Sequence, residues 1–233
     1  MRSSVGHSPD GPWVFDDDVT ACFEDMLSRS IPDLRGMRSA VTRVTNRFAP
    51  TGGAILDIGS SRGDTIADIL RTRPDLKATA CECSQPMVAA LRSRFDGVVG
   101  IDETDLRRGF PRGTYDVITS VLVVQFTPIE YRHRIIRSCF DALRPGGALV
   151  LVEKVIGASS VMDEVLTGEY LKLKSENGYS QEDISRKRLS LEGVLVPVTA
   201  EWNEDMLRQA GFLVSPIWRW FNFVGWVAIR PHK

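Results

Sequence analysis

Histidine and cysteine are scarce, with three His and four Cys in 233 residues, and the cysteines (Cys22, Cys81, Cys83, Cys139) form no Cys-x-x-Cys pair. Such a set supports neither a zinc cluster nor a disulfide framework, so no metal is expected and the thiols read as reduced core or pocket residues. An excess of charge of one sign is also missing. With 29 Lys+Arg against 30 Asp+Glu, the chain has no field that would gather nucleic acid or an anionic membrane, and a small-molecule partner is favoured. Long hydrophobic runs are absent too: Ile118 to Val124 and Ala148 to Val152 are strand-sized, far short of the roughly 20 residues that span a bilayer. Met1 to Pro12 is polar, contains Gly and Pro, and lacks the apolar core of a signal peptide, which makes the cytoplasm the expected compartment. There is no internal repeat and no low-complexity tract. The length and the 43% hydrophobic content predict one α/β domain with additions.

What is present is an alternation of strands and helices. Residues 1–14 read as disordered and residues 15–233 as a single domain, opened by two N-terminal helices within residues 15–50. The first carries Val19, Phe23, Met26 and Leu27 on one face, and the second runs from Met37 to Phe48. Strands are then predicted at Ala54 to Gly59, Lys77 to Glu82, Val98 to Ile101, Tyr115 to Val121 and Ala148 to Glu153. Helices fall between them at Asp64 to Arg71, Gln85 to Arg94 and Ile129 to Leu143. Such alternation makes βαβ units and a parallel sheet. Arg144-Pro145-Gly146-Gly147 reads as a helix stop and tight turn ahead of the fifth strand. After Glu153 the rhythm breaks, and residues 155–195 read as a helical insertion with helices at Val161 to Ser175 and Gln181 to Leu191. A helix at Asn203 to Ala210 and strands at Phe212 to Trp218 and Phe223 to Ile229 close the sheet with an antiparallel pair.

The chemistry gathers at the carboxyl ends of the strands. Asp57-Ile58-Gly59-Ser60-Ser61-Arg62-Gly63 joins the first strand to its helix, where glycine lets the backbone approach a ligand and the helix offers free N–H groups. Glu82, ending the second strand about 25 residues later, stands where an acid accepts bonds from ribose hydroxyls. Asp105-Leu106 follows the third strand, where a carboxylate and a backbone amide can read an adenine edge, and a solvated turn is the alternative for Asp105. The spacing is not Gly-x-Gly-x-x-Gly, and with the terminal hairpin this favours S-adenosylmethionine over a nicotinamide. Glu153 has two readings, a general base or substrate-orienting acid, and an ion pair or helix cap. Tyr179, between the insertion helices, is a lid residue or a packing residue. Arg186-Lys187-Arg188 is a solvated helix face or the source of a guanidinium that pairs with a substrate carboxylate.

These segments resemble carboxy-S-adenosylmethionine synthase. The likeness runs from Phe15 to Arg230 and is densest in residues 23–32, 145–150, Glu153-Lys154, Glu176-Asn177-Gly178-Tyr179-Ser180, residues 184–188 and Phe221-Asn222-Phe223. It implies a Rossmann-like class I methyltransferase fold: a mostly parallel seven-stranded sheet with an antiparallel last strand, helices on both faces and a helical insertion after strand 5. It also implies a homodimer and cofactor contacts at Gly59, Ser60, Ser61, Glu82, Cys83, Asp105, Leu106 and Ser120, on the turn that begins at Asp57. In that family an arginine falling on Arg188 reaches across the dimer and grips the extra carboxylate taken from prephenate. Here the chain departs from the family pattern: Leu34 replaces a tyrosine, Glu82 an aspartate, Cys83 an asparagine, and Ser120 stands where the family has an asparagine. The sequence therefore predicts an S-adenosylmethionine-dependent methyltransferase acting on a small molecule. Carboxy-S-adenosylmethionine synthesis is the second reading and a non-catalytic S-adenosylmethionine-binding protein the third. Arg188, Glu153 and Tyr179 are the candidate catalytic residues.

Overall fold

In the computed structural model, residues 11–232 are described. Strand β1 (Ala54–Ile58) lies at the centre of the parallel part of the sheet, paired to β2 (Lys77–Cys81) on one side and β4 (Tyr115–Val121) on the other. With β3 (Gly100–Asp102), β5 (Leu143–Ile156), β7 (Leu213–Trp220) and β8 (Phe223–Ile229) the order is β3-β2-β1-β4-β5-β8-β7, and β8 runs antiparallel to both of its neighbours. That is the predicted seven-stranded sheet. An eighth strand, β6 (Val198–Thr199), pairs with the end of β5; two residues carry no alternation that a sequence pattern can register.

Both faces are covered because alternate residues of each buried strand are apolar. Leu56, Ile58, Ile118, Leu149 and Leu151 face α5 (Ile129–Ala142) and α8 (Ala200–Gln209), meeting Ile135, Ile136, Cys139, Met206 and Leu207. Ile55, Val117, Val150 and Val152 face the other way, onto Met37 and Val41 of α2 (Leu34–Phe48) and Ile66 and Ile69 of α3 (Asp64–Thr72). Helix α4 (Gln85–Phe95) follows β2, capped by Ser84 and carrying Pro at its first turn.

β5 begins earlier than predicted. Leu143 pairs with Tyr115, the Arg144-Pro145-Gly146-Gly147 turn bulges out between Tyr115 and Val117, and pairing resumes at Ala148 with Val117. Gly146, at φ 80°, supplies the bulge conformation. The turn thus sits inside the strand instead of before it.

The insertion is α6 (Ser160–Glu176) and α7 (Gln181–Ser190), and α1 (Asp17–Ser30) buttresses it. The Arg29 guanidinium donates to the Asn177 carbonyl at 3.0 Å, and the Asn177 amide donates to the Arg29 carbonyl at 3.0 Å. The disorder predicted for residues 1–14 lies outside the described residues up to residue 10. Within them it fails at Trp13, which is buried among Val19, Phe23, Met26 and Met87, while its N–H donates to the Ser190 carbonyl at 2.8 Å. An indole with a closed apolar seat and a backbone bond is held, however polar its neighbours are.

Candidate functional site

A cavity of about 1380 Å³ opens over the carboxyl ends of β1, β2, β4 and β5, roofed by α6, α7 and the segment 13–15. A single small-molecule site usually occupies roughly 300–1,000 Å³, so this one has room for a cofactor and a second small molecule. The position is the switch point of the sheet, where β1 is followed outward by β2 on one side and β4 on the other.

The cofactor half is built on the β1 turn. Gly59 has φ 63°, and a Cβ there would lie 2.5 Å from Cγ1 of Val123, so only glycine fits. Ser61, where the common pattern carries glycine, holds the left-handed conformation as well, at φ 50°; the backbone shape is kept although the glycine is not. Its N–H donates to Oε2 of Glu82 at 2.8 Å, and Oε1 of the same carboxylate accepts from the N–H groups of Cys83 and Ser84 at 2.8 and 2.9 Å. Glu82 is therefore fixed by three amides, with lone pairs left for hydroxyl donors. Asp57 is buried beneath the turn and accepts a 2.6 Å bond from the Thr119 hydroxyl; burial pushes its carboxyl up to about 7, against the pull of the Thr119 and Ser60 hydrogen bonds. Asp105 is engaged by Arg107 through side-chain bonds of 2.7 to 3.1 Å and a backbone bond of 2.9 Å. The Arg107 guanidinium holds its carboxyl below the ordinary range.

Asp57, Gly59, Ser60, Ser61, Glu82, Cys83, Asp105, Leu106 and Arg188 all line this cavity, so most of the residues selected from the sequence meet in one place. Three do not. Ser120 is fully buried in β4 and is not part of the lining, whereas its neighbour Val121 is; strand alternation sends adjacent side chains to opposite faces. Glu153 is 2% exposed and is also outside the lining. Its carboxylate accepts from the N–H groups of Val123, Val124 and Gln125 at 3.3, 2.9 and 2.8 Å, which caps the single turn of 3-10 helix Val124–Phe126. Burial pushes this carboxyl up to about 7, with those amides and Arg132 opposing. The helix-cap reading of Glu153 is the one the geometry matches, and the turn it fixes carries the Val123 that packs on Gly59. Tyr179 is 2% exposed, and its hydroxyl lies 3.2 Å from Oγ of Ser30. Its surroundings are those of a packing residue.

Sequence reasoning gave no site role to Lys154 or Lys174, and took Lys187 only as part of a charge run, yet all three line the cavity beside Arg188. A signal was available. Lys174 follows Leu166 and Tyr170 at steps of four residues, and those are the buried positions of α6, so a lysine stands in core register.

The donor set fits S-adenosylmethionine. Carboxylates stand on the β1–β3 side for a ligand carrying a sulfonium, an ammonium and ribose hydroxyls, and the glycine cradle admits close approach. The family model described as a methyltransferase domain matches residues 55–147. Similarity to an O-methyltransferase family protein of Burkholderia thailandensis is structural (TM-score 0.67, 18% identity, covering 93% of this chain and 61% of that one). The carboxy-S-adenosyl-L-methionine synthase of Actinobacillus pleuropneumoniae serotype 5b is 32% identical over 228 residues, 94% of each chain. That of Methylococcus capsulatus is 34% identical over 224 residues, 93% of each chain. Likeness of that depth along more than nine-tenths of both chains means that this protein belongs to the carboxy-S-adenosyl-L-methionine synthase family, within the class I S-adenosylmethionine-dependent methyltransferases.

Proposed function

We propose that the chain makes carboxy-S-adenosylmethionine, from S-adenosylmethionine and an organic acid of the prephenate kind that gives up carbon dioxide. The observation that carries this reading is Arg188 in the wall of the chain's own cavity, lined also by Gly59 and Glu82, so the reading has it act within one chain and not across a dimer as the resemblance implies. A guanidinium forms paired bonds with a planar carboxylate, here the one that the methyl carbon gains; in a methyl transfer it would hold a carboxylate on the acceptor. When bound, S-adenosylmethionine would supply an activated methyl carbon: the acid's C–CO2 bond breaks and its hydroxide leaves, that hydroxide takes a methyl proton to form water, and the methyl carbon bonds the released carbon dioxide. The chain's own residues hold and orient the cofactor: Glu82 takes the ribose hydroxyls, Asp105 and the Leu106 amide take the adenine edge, and Gly59 to Ser61, with Asp57 beneath, support the amino-acid part. Glu153 and Tyr179 act as positioning residues, the first under the Val123–Gln125 turn and the second under the lysines of α6 and α7.

In this reading the insertion is a lid that excludes water, and the working unit is a cytoplasmic homodimer. Exposed apolar residues on α6 (Val161, Met162, Val165) and Leu189 on α7, next to Arg188, support a subunit contact there. A second reading, methyl transfer to a small molecule, is favoured by the apolar Leu34 and the thiol of Cys83 in the cavity wall.

The test is incubation of the purified chain with S-adenosylmethionine and prephenate, followed by mass analysis of the nucleosides. A product heavier than S-adenosylmethionine by one carbon dioxide is expected. Cofactor binding with no such product sinks the reading and favours the second, or a non-catalytic protein if no acceptor is methylated. Arg188→Ala should weaken carboxy-S-adenosylmethionine by roughly 10- to 100-fold, the worth of a charge-assisted bond pair, and S-adenosylmethionine much less. Equal loss of both ligands would remove Arg188 from the role.

A further inference from the structure

The side of the cavity over β5 gathers three lysines in a row. Lys174 and Lys187 are each only 5% exposed, and Lys154 is half-buried at the end of β5. No ion pair among the described residues includes any of the three. Aromatic rings separate them in a row. Lys154 Nζ lies 4.4 Å from the centre of the Tyr170 ring, and Lys174 Nζ lies 5.5 Å from Tyr170 and 5.2 Å from Tyr179. Lys187 Nζ lies 5.4 Å from Tyr179 and 5.3 Å from Trp13, with Oγ of Ser30 at 3.4 Å. Ring faces attract ammonium groups but do not cancel their charge.

Buried cations are ordinarily paired, because desolvation and mutual repulsion both oppose them. Here burial and mutual repulsion pull Lys187 down to about 7 and Lys174 down to about 8, and burial with Arg188 nearby pulls Lys154 down to about 8. The groups facing them are few. Asp163 of α6 and Arg188 of α7 act on Lys154, Lys154 acts on Lys174, and Lys174 acts on Lys187. Cys22 of α1 acts on Lys187. Asp163, which also accepts the Gly157 N–H at 2.8 Å, is the one carboxylate among the described residues that acts on the row, and it acts on Lys154 alone. All three lysines line the cavity that holds the cofactor turn, on the opposite side of the sheet's carboxyl edge.

We infer that Lys154, Lys174 and Lys187 form an oxyanion subsite, separate from Arg188, that holds the anionic end of the second substrate. The class of ligand is a compact, multiply charged oxyanion, either a carboxylate pair or a phosphate ester. The subsite deepens the reading proposed above and rests on it for the identity of the first ligand. The acids on the β1–β3 side then receive the cationic cofactor and the lysines receive the anionic partner, so the cavity orients two reactants by charge alone before any specific contact is made. The aromatic rings between the lysines offer flat apolar walls to an unsaturated carbon skeleton.

Calorimetric titration tests this with malonate and inorganic phosphate as separate probes, at fixed ionic strength. Wild type is compared with the near-isosteric Lys174→Met and Lys187→Met, and with Lys154→Met as the less buried variant should either fold poorly. Saturable binding is expected, weakened about tenfold or more by each substitution, on the scale of a charge-assisted bond. S-adenosylhomocysteine affinity should change little. Binding should also weaken as pH rises from about 6.5 to about 9, as the lysines lose protons. Tighter malonate identifies a carboxylic acid as the natural ligand, and tighter phosphate identifies a phosphate ester. Wild type that binds neither probe, or variants that bind as well as wild type, overturns the inference. Failure of wild type to bind S-adenosylhomocysteine overturns the cofactor reading alone, because the anion titration is run without it as well.

Discussion

Single residues set two opposing dependences on pH. Asp57 and Glu153 have carboxyls raised by burial to about 7, from ordinary values of 3.8 and 4.5. The folded chain then keeps protons that the unfolded chain has released, so their contribution to stability is full below about pH 4 and is lost as pH rises to about 7. The three lysines act the other way. Their folded values of about 7 to 8, against 10.5, mean that the unfolded chain holds protons the folded chain has lost, and stability climbs between about pH 7 and about pH 10.5. The thermal midpoint of the ligand-free protein should therefore pass through a shallow minimum near neutrality, and Asp57→Asn should flatten its acid limb. A midpoint that climbs steadily from about pH 5 to about pH 7 would contradict the burial of these acids. At Gly59 the argument is steric. Its φ of 63° and the 2.5 Å contact awaiting a Cβ predict that Gly59→Ala costs about 2 kcal/mol or more and removes most affinity for S-adenosylhomocysteine, measured by thermal unfolding and titration.

The residues whose place in the cavity the sequence made legible were those set by local structure. A glycine at a strand end, an acid closing the next strand and an Asp-Leu after the third are readable because strand, turn and helix are adjacent in the chain. Glu153 and Tyr179 misled because their partners are remote: the Val123–Gln125 amides for one and Ser30 for the other. Ser120 missed the cavity by one residue, which in a strand is the difference between two faces.

Elements divide in the same way. Helices α3, α4 and α5 and strands β1, β2 and β4 were predictable from periodicity, since each buries one face or both. The bulge inside β5 and the two-residue β6 were not, because each exists only through pairing with a strand elsewhere. The insertion is tied to the rest of the chain by the Arg29–Asn177 exchange, by Trp13 on Ser190, and by Tyr170, which packs into the core against Phe223 of β8. Trp13→Ala should cost about 3 kcal/mol, the usual range for emptying an aromatic seat, read as a fall in the unfolding midpoint. Hydrogen exchange should slow in α6 and α7 when S-adenosylhomocysteine is added if the pair closes over the cavity. Exchange that is unchanged there, while it slows at the β1 turn, would mean that the insertion is a fixed wall.

At the scale of the whole molecule, the parallel strands follow from βαβ alternation and the right-handed crossovers it requires, and the antiparallel β8 from its hairpin with β7. No described helix is long and apolar enough to cross a membrane. What sequence reading could not assemble was the polarity of the cavity. The acids come from the ends of the early strands and the lysines from β5, α6 and α7, so their opposition exists only once the sheet is wound. Assembly is a further whole-molecule expectation: Val165→Glu on the exposed apolar stretch of α6 should shift the protein from dimer to monomer in light scattering, and an unchanged mass would place the contact elsewhere.

The most direct measurement is native mass spectrometry of the protein as purified, followed by small-molecule analysis of the nucleoside it carries. The account predicts a nucleoside heavier than S-adenosylmethionine by one carbon dioxide, lost from the Arg188→Ala variant. A protein that carries only S-adenosylmethionine or S-adenosylhomocysteine, equally in wild type and variant, would contradict it.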